Sequence, residues 1–342
     1  MAEDKQSEAG LYTVYGSSLS YFTQKLLAAM KFYAAPHQFQ HKSAAEREAV
    51  ESRSGTHQVP VLLTPENWMV ADTTPLLNML DHRFPERHMF PPGLEGVLVH
   101  VVEEYFDEWI ARTMVHYRWH YEESARFCSQ KMVREGNPDL DDKTVAGLAA
   151  NIADWGGRAC RATGVYSDRQ EEAAEEEYVR ILDAVETQLG ESQYLLGTRP
   201  CAVDCIVLGG LRAHTNHDPD PKKLMVNYPK TVAWCESEAD RWDGKGELAP
   251  FPAATGFARF VLRESSLTYK PYVLANADAL ADRAKAFIAE IYDEEVSYLT
   301  RPYPERSRRM VMDRIRHQIE PADAAKVADW LGEMGLSECF ID

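Results

Sequence analysis

Chemistry first suggests itself where a proline interrupts an apolar run. Gln58-Val59-Pro60-Val61-Leu62 is followed closely by Val70-Ala71-Asp72-Thr73. A proline cannot donate to a strand ladder, so a strand tolerates it in one of two ways. The run is an edge strand opened by a trans proline, or the Val59–Pro60 bond is cis and a ligand uses the freed backbone. Asp72 and Thr73 stand where a helix begins, and either can cap it. Other chemistries are less well served. The six cysteines (Cys128, Cys160, Cys201, Cys205, Cys235 and Cys339) are scattered, with no CxxC pair and no Cys/His ligand spacing. That argues against structural zinc, and no metal is expected. Cys201 and Cys205, four apart, read as two small buried residues of one helix. There is no G-x-S-x-G elbow, which argues against a serine hydrolase.

The elements that must position these residues come in the order β-α-β-α-β-β-α within about 85 residues. Leu11–Gly16 (LYTVYG) predicts a strand and Ser17–Ser20 a polar loop. From Tyr21, YFTQKLLAAMKFYA has helical periodicity. PHQFQH predicts a second strand and SAAEREAVESR a charged helix. VPVLL at Val59–Leu63 and NWMVAD at Asn67–Asp72 predict an antiparallel pair, and DTTPLLNMLDHRFP at Asp72–Pro85 a helix with Pro75 harmlessly in its first turn. PERHMFPPG then reads as a domain linker. Beyond it strand signals vanish. Gly93–Cys128 predicts a long aromatic-rich helix or helix pair, Glu171–Leu189 and Thr231–Arg241 further helices, and Cys201–His214 a buried one. In the last ninety residues, Lys285–Thr300 predicts a β-hairpin. Arg301–Ile319 predicts a helix holding Arg301, Arg306, Arg308, Arg309, Arg314 and Arg316, and EPADAAKVADWLGEMG a final helix stopped at Gly335.

Over residues 11–245 the sequence resembles the cytosolic glutathione transferase superfamily. The features that carry the resemblance are the V-P-x-L strand, the hairpin strand after it, the acid-plus-hydroxyl pair opening the next helix, and Gly197-Thr198-Arg199-Pro200-Cys201-Ala202-Val203-Asp204 further on. The last stretch is similar to the family's G-x-x-x-[ST]-x-x-D cap, with Cys201 in place of the hydroxyl residue. The resemblance implies an α+β chain of two domains. Residues 1–10 would be a disordered tail, 11–86 a thioredoxin-like glutathione-binding domain, 93–250 an all-helical domain and 255–342 an atypical C-terminal extension. It also implies roles. The backbone of Val59, before a cis Pro60, would pair with the cysteinyl part of glutathione. Asp72 and Thr73 would hold the γ-glutamyl end, the acid on its ammonium, the hydroxyl and helix N-terminus on its carboxylate. The glycine carboxylate would lie near His41, Lys42, His57 and Gln58. The catalytic hydroxyl would come from the loop after the first strand. Alignment on serine-type theta-, phi- and zeta-like members favours Ser20, alignment by distance from the strand favours Ser17, and Ser18 lies between. Asp107, Met114 and Tyr117 would line the acceptor pocket.

The implied activity is attack of the glutathione thiolate on a small electrophile, with a serine hydroxyl stabilising the thiolate and glutathione as co-substrate. The alternative is a catalytically silent binding or interaction protein of the same fold. Composition agrees with a globular chain: 342 residues, 45% hydrophobic. A net charge of -17 argues against nucleic-acid or polybasic membrane partners. The polar N-terminus lacks a signal-peptide core. A cytoplasmic homodimer is expected.

Overall fold

The computed structural model describes residues 10–237 and 241–341. Most of the expected N-terminal tail lies outside them. The first elements are β1 (Tyr12–Gly16), α1 (Tyr21–Phe32), β2 (His37–His41), α2 (Arg47–Ser54), β3 (Val61–Leu63), β4 (Met69–Ala71) and α3 (Thr73–Arg83). They build one sheet in the order β2-β1-β3-β4, with β1 parallel to β2 and the other pairs antiparallel. This is the predicted β-α-β-α-β-β-α order, and the domain is thioredoxin-like.

Helices follow: α4 (Gly93–Glu104), α5 (Ala111–Trp119), α6 (Glu122–Gly136), α7 (Asp142–Ala162), α8 (Asp168–Gln188), α9 (Ala202–Gly210), α10 (Pro219–Lys222) and α11 (Pro229–Glu236). A π-helical turn, Tyr105–Ile110, joins α4 to α5. The expected long helix is therefore continuous from 93 to 119, and α6 is its separate partner. Asp204 closes the cap of α9 by accepting from the backbone N–H of Cys201 and of Leu195, both at 2.9 Å. Cys201 replaces the expected hydroxyl without loss of the reciprocal cap. The two domains meet where α1 crosses α9. There the backbones approach so closely that a Cβ on Gly209 would lie 2.7 Å from the carbonyl oxygen of Tyr21.

The remaining elements are α12 (Gly256–Leu267), α13 (Tyr269–Ala281), β5 (Ala286–Ile291), β6 (Glu294–Leu299), α14 (Pro302–His317), α15 (Ala324–Glu333) and α16 (Ser337–Phe340). The predicted hairpin is present. Its turn residues Tyr292 and Asp293 both have positive φ, 55° and 62°, as the twist of a two-residue hairpin turn requires. Alternate residues Phe287, Ala289, Ile291, Val296 and Tyr298 face inward. One hydrophobic cluster runs unbroken from Tyr12 to Phe340, so residues 255–341 pack as part of the body. Buried carboxylates of the helical domain fix them there. Glu104 accepts from the hydroxyls of Tyr269 (2.8 Å) and Ser307, and Glu177 from Thr268 (2.9 Å) and Tyr292. Each hydroxyl satisfies a buried carboxyl oxygen, and a buried polar atom left without a partner is costly. Among the described residues no helix is long and apolar enough to cross a membrane.

Candidate functional site

Strand register alone brings the predicted residues together. Gly16 is opposite His41, Tyr15 opposite Val61, and Val61 opposite Ala71. Continuing the antiparallel register by one position, Pro60 and Asp72 line up with Gly16 and His41 along one end of the sheet, and Ser17 follows directly on Gly16. Three strand intervals of about 4.8 Å make a row of about 14 Å, long enough for an extended tripeptide of about 10 Å. The Val59–Pro60 bond is cis. Asp72 has φ +76° and ψ 111°, a sparsely populated backbone conformation outside the left-handed helical region. Thr73 is buried as the first residue of α3.

The Asp72 carboxylate caps nothing. Its side chain is 19% exposed, and Oδ2 lies 3.4 Å from the Arg306 guanidinium of α14. Burial, then the charge of Asp107, pushes the Asp72 carboxyl up, against the pull of Arg306 and Lys25. Behind it, Lys25 of α1 is fully buried and pairs with Glu103 at 2.5 Å and Asp107 at 2.8 Å, while also reaching Thr74 Oγ1 at 3.2 Å. Burial likewise raises the carboxyls of Glu103, Glu104 and Glu108. This end of the sheet has more carboxylates than cations to meet them.

At the other end of the row the three serines differ. Ser17 donates to Glu135 Oε2 of α6 at 2.7 Å, and Ser18 donates to Oε1 of the same carboxylate. Both protons are thereby committed. Ser20 is the N-cap of α1 and accepts from the Thr23 N–H at 3.2 Å. It donates to no group among the described residues, so its proton is available. Arg118 of α5 holds the loop between them by donating to the Leu19 carbonyl at 2.6 Å, while gripping Asp218 (2.8 and 3.1 Å) and the Ala213 carbonyl (2.5 Å).

His41 Nδ1 lies 3.5 Å from Glu135 Oε2. Lys42 donates to the His57 carbonyl at 2.7 Å and pairs with Glu51 at 2.8 Å. Gln58 Oε1 accepts from Tyr303 of α14 at 2.9 Å. An open cleft of about 880 Å³ lies beside Glu135, lined by His41, Ser43, Phe127, Lys131 and Arg134 among others. Of the three residues expected to line an acceptor pocket, Asp107 is tied to Lys25, and Met114 and Tyr117 are 2% and 4% exposed. Tyr117 stacks against Tyr121 and packs on Tyr178, and Met114 accepts from Thr215, so both belong to the core.

Sequence reasoning overlooked Lys25, Glu135 and Tyr303, and named Arg306 only as one arginine of the helix in the extension. Lys25 had a signal: it falls on the buried stripe Tyr21, Lys25, Ala28, Ala29, Phe32, where a lone lysine needs buried acids. Glu135 and Arg306 had none, since their partners lie more than a hundred residues away.

Residues 178–237 match the family model described as glutathione S-transferase, C-terminal domain. No curated protein sequence matches the chain. Several solved structures are similar in fold. A glutathione S-transferase from Rhodospirillum rubrum F11 is 14% identical, covering 67% of this chain and 90% of that one, with a TM-score of 0.44. The beta-etherase LigF from Sphingobium sp. strain SYK-6 is 13% identical over 68% and 96%, TM-score 0.44. A glutathione S-transferase from Methylobacterium radiotolerans JCM 2831, in complex with glutathione sulfonate, is 17% identical over 69% and 92%, TM-score 0.42. The matched segment holds the second half of α8 together with the capped α9, so the likeness to a glutathione S-transferase C-terminal domain rests on the helical core that packs against α1.

Proposed function

We propose that the chain is a glutathione-dependent transferase that holds the tripeptide along the sheet end. The carrying observation is the Asp72 carboxylate, mostly buried, met by one guanidinium and crowded by Asp107. A γ-glutamyl head is a zwitterion. Its ammonium supplies the cation this corner lacks, and its carboxylate finds Arg306, Thr73 and the N-terminus of α3. The cysteinyl backbone pairs with Val59, and the glycine carboxylate points toward His41, Lys42, His57 and Gln58. Ser20 donates its free proton to the sulfur and so favours thiolate over thiol. The thiolate attacks an electrophilic centre in the cleft beside His41 and Phe127. A sulfur–substrate bond forms, and the leaving group departs with its electron pair.

Calorimetric titration with reduced glutathione tests the assignment. Asp72→Asn keeps the size and shape of the side chain and removes the charge. A charged hydrogen bond is worth about 1.5–3 kcal/mol, so affinity is expected to fall on the order of ten- to a hundredfold. Arg306→Ala is expected to weaken binding several-fold. Unchanged affinity in Asp72→Asn refutes the γ-glutamyl placement. Binding without a depressed thiol pKa favours the silent binding protein instead.

A further inference from the structure

The end of α5 and the first turns of α8 lie side by side, and ligand-bearing side chains face each other there. His116 and His120 are four residues apart, so they share one helix face, and their ring centroids are 4.7 Å apart. Glu171 and Glu175 are likewise four apart on α8. His120 Nδ1 is 3.0 Å from Glu171 Oε1, and His116 Nε2 is 2.7 Å from Glu175 Oε1. One ligand atom each from His116, His120 and Glu171 lies within 4.8 Å of the other two. We propose that these three side chains bind a divalent first-row transition-metal ion, with Glu175 as the outer partner that orients His116.

The distances suit an ion. Ligand atoms about 2.1 Å from a metal are separated by about 3.0 Å at right angles and about 3.4 Å in a tetrahedron. His120 and Glu171 already stand at that separation, and small side-chain rotations close the remainder. His116 supplies an independent reason. Its side chain is fully buried, and Nδ1 has no hydrogen-bond partner among the described residues. With the proton on Nε2, the ring donates to Glu175 and keeps a lone pair on Nδ1. Glu175 also accepts from the Tyr121 hydroxyl at 2.6 Å. A carboxylate holding the far side of a ligand imidazole is the usual outer arrangement of a metal-bound histidine. A buried ring nitrogen without a partner is costly, and a coordinate bond satisfies it.

The donor set points to the class of ion. Two imidazoles and a carboxylate suit zinc, nickel, cobalt or copper better than magnesium or calcium. The His120 side chain is 41% exposed and that of Glu171 23%, so the ion enters from solvent and keeps coordination positions open to water. The four-residue spacing of His116 and His120 is written in the sequence, but it did not announce the site by itself, because the third ligand comes from another helix. The site sits two residues from Arg118, which holds the Ser17–Ser20 loop.

The test is titration of the full, tag-free chain with Zn²⁺ by calorimetry and with Co²⁺ by visible absorption. One equivalent is expected to bind with micromolar or tighter affinity, to raise the melting temperature, and to give a cobalt spectrum without sulfur charge-transfer bands. His120→Ala and Glu171→Gln are each expected to weaken binding at least tenfold. Glu171→Gln is a near-isosteric change at a partly exposed position, so it serves as the decisive variant if His120→Ala folds poorly. Absence of stoichiometric binding, sulfur bands in the cobalt spectrum, or binding untouched by Glu171→Gln each overturns the proposal.

Discussion

On the proposed function one hydroxyl serves twice, and replacing Ser20 by alanine separates the two roles. Its oxygen caps α1 by accepting from the Thr23 N–H at 3.2 Å, while its proton is uncommitted. Loss of an N-cap costs about 1 kcal/mol. Loss of a hydrogen bond donated to a thiolate costs about 1.5–3 kcal/mol, which at about 1.36 kcal/mol per unit raises the bound thiol pKa by about one to two units. Ultraviolet titration of the thiolate of glutathione bound to the protein reads this directly, and denaturant unfolding reads the cap. Transfer at neutral pH should slow in step with the thiolate fraction, by at most about ten- to a hundredfold. Ser20→Asp provides the control. A carboxylate restores the cap but cannot donate to sulfur and repels a thiolate, so stability should recover while the thiol pKa stays raised. Ser17→Ala and Ser18→Ala should leave the thiol unchanged, because their protons already serve Glu135. A raised thiol pKa in Ser17→Ala, with none in Ser20→Ala, would refute the reasoning and reduce Ser20 to a cap.

Two further outcomes concern the cluster that holds the serine loop. Arg118→Met leaves Asp218 buried without its cation, and such a loss costs about 3–5 kcal/mol; an unfolding free energy within about 1 kcal/mol of the parent would show that the pair is not needed. Acid should also weaken the fold here. Burial, then the charge of Arg118, holds the His214 pKa down at about 4, below its unfolded value. The folded state therefore binds fewer protons, and stability present above about pH 6.5 is lost as pH falls toward 4, by about 3 kcal/mol at most. Below that range Asp218 adds to the loss: burial opposes its ionisation, but the adjacent His214 ring, the His217 ring within hydrogen-bond distance and the charge of Arg118 hold its carboxyl well below the usual range. His214→Gln should flatten the fall between pH 6.5 and 4, and an unaltered pH profile in that variant would refute the assignment.

The N-terminal half of the fold was legible because its signals are local. Strand composition, a proline inside a strand, turn residues and an acid at a helix start are written within a few residues of one another, and the sheet register then puts His41, Gly16, Pro60 and Asp72 in one row, with Ser17 next to it. The β-hairpin was legible from alternation, for the same reason. Three helices gave less warning. Within α7, Gly147, Gly156 and Gly157 dilute the helical pattern, and α12 and α13 meet at Leu267–Tyr269 without a proline or glycine between them. The acceptor pocket was misjudged because periodicity shows which residues share a helix face, not whether that face meets a cleft or a neighbouring helix. For Met114 and Tyr117 it meets α8 and the turn after α9.

The sequence by itself determined the order of elements, the cap of α9 and the residues along the sheet end, all consequences of spacing and backbone chemistry. Only the tertiary structure decided how those residues are charged and which protons are free. Glu135 accepts the hydrogen bonds of Ser17 and Ser18 from across the domain interface, Arg306 comes to Asp72 from an extension more than two hundred residues away, and Glu171 comes to His120 from a second helix. Electrostatic and hydrogen-bond partnerships depend on distance in space, and a linear sequence does not record that distance until packing brings the chain together.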